Sequence, residues 1–208
     1  MTSKPDEIKG AFFGSTEREI RLFLADIGQV TFDSDFLTIK NYLFENSVVS
    51  VNSKLKLEDI VNICIKSFPP TIRVGDELIF ISAKQKEDLS AFADRNKIAI
   101  SDRVELWDWI LEPFLDTEFT DEHKEKLYDL LEKYELIRQT VDHLRETVRE
   151  QMMKYNFDTM LWKWGMFSAL DVLRAMRPKL DSSDFHSFYK QVMAIALRPD
   201  SMNEKPSH

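Results

Sequence analysis

The sequence predicts an α+β protein dominated by helices, and three observations carry that prediction. Only 5 Gly and 7 Pro interrupt a chain of 208 residues, so long regular elements are favoured. Residues 121–154 contain neither, and apolar side chains recur there at four- and three-residue intervals, the spacing of a helical seam. Gly75-Asp76, by contrast, separates Ile72 and Val74 from the apolar run Leu78-Ile79-Phe80-Ile81, the pattern of a β-hairpin. With 43% hydrophobic residues and 15 Phe, 5 Tyr and 4 Trp, burial can offset the entropy of ordering the chain.

Taken in order, the polar ends, residues 1–10 and 198–208, are expected to be flexible tails. Residues 11–100 read as a mixed α/β part and 101–197 as a helical bundle, with no compositional linker to prevent one continuous domain. Thr16 and Glu19 form a capping-box pattern, and Ile20, Phe23, Leu24 and Ile27 follow at helical spacing, predicting a helix over 16–27 that Gly28 ends. Ser34 is a candidate cap for a second helix through Phe36, Leu37, Ile39, Leu43 and Phe44, with a short strand at Val48, Val49 and Val51. A third helix is expected over 57–67, through Leu57, Ile60, Val61, Cys64 and Ile65, stopping before Pro69-Pro70. The hairpin at 71–82, a helix at about 84–95 and a short strand at Ile98-Ala99-Ile100 complete this half.

In the second half, Asp102 and Glu105 suggest a capping box before Leu106, Trp107, Trp109 and Ile110, with Pro113 bending or ending that helix. Leu127, Leu130, Tyr134, Ile137, Val141, Leu144 and Val148 predict one long helix, with a break near 134–138 as the alternative. Residues 158–176 carry Leu161, Trp162, Met166, Ala169, Leu170, Val172, Leu173 and Met176 on a broad arc, predicting a central helix. Asp181 to Ser183 should cap the last helix, which bears Phe185, Phe188, Tyr189, Val192 and Met193 and ends before Pro199.

Charge narrows the function classes. The net −8 divides into −2 over residues 1–100 (13 basic, 15 acidic) and −6 over 101–208 (15 basic, 21 acidic). There is no basic lobe, and the eight acids of 102–122 would repel a phosphate backbone, so nucleic acid is not an expected partner. A single cysteine, no apolar run long enough to span a bilayer and a polar start without signal-peptide character predict a soluble cytoplasmic chain without a membrane partner.

No nucleotide loop, dinucleotide turn, H-E-x-x-H or C-x-x-C motif occurs, so no cofactor is expected. Cys64, flanked by apolar residues with no local base, reads as a buried hydrophobe. His143, Glu146 and Glu150 share a helix face without the Glu-x-x-His pattern of bundle metal sites, so a solvated face is expected and no metal. Glu105, Asp108 and Glu112 align opposite apolar residues, as on an ordinary amphipathic helix. The sharpest candidate is the narrow side of 158–176, where Lys163, Trp164, Phe167, Asp171 and Arg174 could orient a small anionic or planar ligand. A solvent edge is its plain counterpart. A non-enzymatic interaction or regulatory protein acting through helical surfaces is therefore expected, by self-association or with a protein partner. A small-molecule binder or enzyme using Lys163, Trp164, Asp171 and Arg174 is the alternative.

Overall fold

The computed structural model describes residues 14–50, 53–115, 120–159 and 166–199. Among the described residues of the first half are the strands β1 (Gln29–Phe32), β2 (Phe36–Lys40), β3 (Ser53–Lys56), β4 (Ile60–Cys64), β5 (Thr71–Val74) and β6 (Glu77–Phe80). The helices are α1 (Glu17–Phe23), α2 (Lys86–Asn96), α3 (Leu106–Leu111), α4 (Asp121–Glu132), α5 (Arg138–Asp158), α6 (Ala169–Met176) and α7 (Ser182–Ala196). The predicted class, α+β and mostly helical, is the class observed.

The chain divides into two compact units. One, the helical unit, holds α1, the described residues from Leu106 to Phe188, and Arg198. The other, the sheet unit, holds Ala25–Glu105 and Tyr189–Leu197.

The sheet unit contains two antiparallel sheets, ordered β1-β2-β3 and β4-β5-β6. The hairpin at Gly75 is as predicted, with Gly75 at φ +54°. Two predicted helices are strands instead. Leu37 and Ile39 are buried while Phe36, Thr38 and Lys40 are not, so 36–40 follows the two-residue period and pairs with both β1 and β3. Ser34, expected as a helix cap, sits with Asp35 at the tip of the β1–β2 hairpin, where the Asp33 N–H donates to the Phe36 carbonyl at 3.0 Å. In the expected helix over 57–67, the β-branched Ile60, Val61 and Ile63 enter β4, where side chains with little χ1 freedom pack best. Val48 and Val49 lie in a turn rather than a strand, and Val51 is outside the described residues. Gly28 does not end α1, which stops at Phe23. At φ +118° it instead lets the Lys40 carbonyl approach within 2.9 Å of where a Cβ would stand.

All four outer strands of the two sheets meet partners within their own unit. The Gln85 carboxamide pairs with both the N–H (3.3 Å) and the carbonyl (2.6 Å) of Val30 on β1, as a strand would. On β6 the N–H of Phe80 donates to the Tyr42 hydroxyl at 3.0 Å and that of Leu78 to Met193 Sδ at 3.4 Å. Ile63 on β4 exchanges backbone hydrogen bonds with Ala99 and Ser101, realising the expected short strand at 98–100 as a parallel bridge to Ile100. The Lys56 N–H on β3 donates to Asp59 Oδ2 at 3.0 Å, beside exposed Lys54 and Lys56, the residue type that discourages edge pairing.

In the helical unit the Thr16–Glu19 capping box forms as predicted. Asp102 does not cap α3. Its carboxylate pairs with Lys66, Glu105 pairs with Arg103, and α3 begins at Leu106. The predicted 121–154 helix is not continuous, and the alternative break near 134–138 is the one observed. Leu136 donates back to the Leu131 carbonyl at 3.1 Å, Glu135 takes φ +58°, and Arg198 Nη1 satisfies the Tyr134 and Glu135 carbonyls. This is a Schellman-type stop with glutamate in the place glycine usually takes. Leu127, Val141, Leu144 and Val148 of the expected seam are buried inside the unit, while Ile137 at the turn is exposed. The helix predicted over 158–176 is not continuous, because α5 ends at Asp158 and an extended Ser168 restarts the chain as α6 with its own capping box. The last helix is capped as expected, Asp181 Oδ1 accepting from the N–H groups of Ser183 and Asp184 at 2.9 Å each.

Candidate functional site

Of the four predicted ligand residues, Lys163 and Trp164 lie outside the described residues, and Asp171 and Arg174 lie on α6. Asp171 is the third residue of that helix, where a carboxylate meets the unsatisfied N–H groups of the first turn. Its Oδ2 accepts from the Ser168 N–H at 2.8 Å and the Ser168 hydroxyl at 2.7 Å. Its Oδ1 accepts from the Tyr155 hydroxyl of α5 at 2.7 Å. Arg174, one turn further on, lies near the same phenol, and its positive charge works against the rise in the phenol's pKa. Burial, then the neighbouring Asp171 charge, raises the Tyr155 phenol well above its ordinary value, and it stays protonated as a donor.

A third residue belongs to this cluster. Asp108 on α3 accepts the Phe167 N–H at 2.9 Å, and burial lifts its carboxyl above the ordinary 3.8 against that hydrogen bond, with Glu112 and Asp171 adding repulsion. Asp108 thus holds the chain just ahead of α6, and buried Phe167 is carried with it. In sequence Asp108 was visible only as one of three acids on an amphipathic face. These acids part company in the structure, Glu105 pairing with Arg103 and Glu112 hydrogen-bonding His123 Nε2 at 2.7 Å.

The substitution Asp108→Asn keeps the acceptor and loses the charge, which fixes the sign of a pH effect. Because the folded carboxyl is raised, ionised Asp108 opposes folding at neutral pH, and stability returns as pH falls through the folded value. Asp108→Asn is therefore expected to raise the melting temperature near pH 7 by up to about 2 °C, solvent screening limiting the gain at a half-buried site. The gain should vanish below the ordinary carboxylate range, where both side chains are neutral. A lower melting temperature at pH 7, measured by circular dichroism, would contradict the assignment.

The remaining polar groups of this unit also serve structure. Arg145, buried in α5, donates to the Ile110 carbonyl at 2.8 Å and the Tyr128 hydroxyl at 3.0 Å, burial lowering its pKa from the ordinary value. His143, Glu146 and Glu150 are exposed, and Glu146 and Glu150 pair with Arg149 and Lys154. Among the described residues no three metal-ligating side chains converge. No helix among them is long and apolar enough to cross a membrane. In the sheet unit Cys64 is buried at the end of β4.

No family model matches the chain, and no curated protein or solved structure is significantly similar to it.

Proposed function

We propose that the chain is a non-enzymatic protein-interaction protein that works by contact with another polypeptide, a second copy of itself included. The supporting observation is a set of three exposed apolar side chains on and around β4 in the sheet unit. Val61 at the bulge of β4, Ile100 on the bridge beside Ile63, and Phe68 in the connection leaving β4 are 50%, 51% and 58% exposed. Burying a large apolar side chain is worth about 1.5–3 kcal/mol, so three exposed on and beside β4 favour a partner. The helical seam no longer supplies that motive, since it is spent inside its own unit.

Light scattering behind size-exclusion chromatography, over a concentration series of the full chain, tests this together with crosslinking in extract. The expected result is assembly or a crosslinked partner that Phe68→Ser with Ile100→Ser abolishes at unchanged melting temperature. A strict monomer without a crosslinked partner would sink the reading.

The alternative, a small-molecule site, draws its support from the Asp108, Tyr155, Asp171 and Arg174 cluster. Its weakness is chemical: Asp171 already accepts three hydrogen bonds from its own fold, leaving little capacity for a ligand.

A further inference from the structure

The solvent face of the β1-β2-β3 sheet opposes in sign the net −8 of the whole chain. Register and burial place Gln29 and Thr31 of β1, Phe36, Thr38 and Lys40 of β2, and Lys54 and Lys56 of β3 on that face, opposite buried Val30, Leu37, Ile39 and Leu55. Three ammonium groups and no carboxylate project from these strand positions. Lys56 is paired with Glu58 at 3.0 Å, whereas Lys40 and Lys54 make no ion pair among the described residues. Lys54 Nζ stands 3.4 Å from the centre of the Phe36 ring. There the surface dips into a groove of about 420 Å³ bounded by Asp35, Phe36, Lys54, Lys56, Leu57 and Glu58.

We propose that this face docks an extended acidic polypeptide segment bearing one aromatic side chain, its acids on Lys40, Lys54 and Lys56 and its ring in the groove against Phe36. The inference rests on the interaction reading above and names a surface and a partner chemistry for it. Charge complementarity carries it: with Gln85 bonded to Val30 on β1 and Asp59 to the Lys56 N–H on β3, such a segment is held by side chains across the face rather than by strand addition. Side chains two apart on an extended strand repeat at about 6.5–7 Å, so alternate acids on the segment match the step from Lys54 to Lys56. A long phosphate backbone fits less well, because it carries charge at every step past Asp33, Asp35, Glu58 and Asp59 at one end of the sheet, whereas a peptide sets a neutral ring in the groove that Asp35 and Glu58 border and confines its acids to the lysines.

Fluorescence anisotropy of the full chain with a labelled synthetic peptide of alternating glutamates around one tryptophan tests the proposal, the lysine-for-glutamate peptide serving as control. Saturable binding to the acidic peptide alone is expected, weakening with salt and falling about tenfold or more in Lys40→Glu with Lys54→Glu. Lys54→Gln, which reverses no charge, should give a smaller loss in the same direction. Absence of saturable binding, or binding unchanged in the folded double variant, overturns the proposal. Tighter binding of a single-stranded oligonucleotide with the same lysine dependence overturns it too, by assigning the face to phosphate. These variants leave Val61, Phe68 and Ile100 intact, so a chain that fails here yet still assembles loses only this inference.

Discussion

Tyr155→Ala is expected to cost about 3–5 kcal/mol of stability, the range for deleting a fully buried aromatic ring. Tyr155 is 0% exposed, and its ring meets Phe23 of α1 edge-on at 5.4 Å between centroids. Its hydroxyl reaches Asp171 of α6, so one side chain on α5 ties three helices together. Tyr155→Phe separates the two contributions. It keeps the ring and removes the donor to Asp171, and should cost about 1–2 kcal/mol, the range for leaving a buried polar partner unsatisfied. Urea unfolding followed by circular dichroism measures both. A Phe variant as stable as the parent would mean that the phenol does not tie α5 to α6, and the cluster around Asp171 would then have to be rebuilt.

Elements that carry their own local signal were legible in the sequence. The Thr16 and Asp181 caps, the Gly75 hairpin and the 84–95 helix each rest on residues a few positions apart, and each is present. The misreadings share a cause. At 36–44 and 57–67 the apolar residues satisfy both a helical and a strand period, and the choice falls to pairing partners far along the chain, such as Leu55 for Leu37 and Ile72 for Ile63. The 121–154 break, which falls where the alternative reading put it, ranked second to a continuous helix because Glu135 takes a conformation that glycine usually marks and part of its stabilisation comes from Arg198. The candidate site was half visible for the same reason. Asp171 and Arg174 were found from helical spacing, but Tyr155 and Asp108, which organise them, come from α5 and α3. Spacing relates residues on one helix and is silent about neighbouring ones.

Phe44 tests the strand observed at 36–40 against the helix expected through Phe44. Had 36–44 been an amphipathic helix, Phe44 would be one of several apolar groups on a face, and its loss would be shared. In the structure it follows β2 and is 0% exposed, with its ring 5.9 Å from Tyr42, 6.1 Å from Phe80 and 5.7 Å from Tyr189. Truncation there empties the centre of an aromatic cluster drawn from three stretches of chain, which cannot easily close the void. Phe44→Ala is accordingly expected to cost about 3–5 kcal/mol, and Phe44→Leu about half of that. Tyr189 gives an independent readout. Its phenol is raised by burial and by the Glu77 carboxylate, so spectrophotometric titration of the parent should leave it protonated through the ordinary tyrosine range. Opening the cluster admits water and should bring that titration down. A loss below about 1 kcal/mol in urea unfolding, with the tyrosine titration unmoved, would contradict the packing of this unit around Phe44.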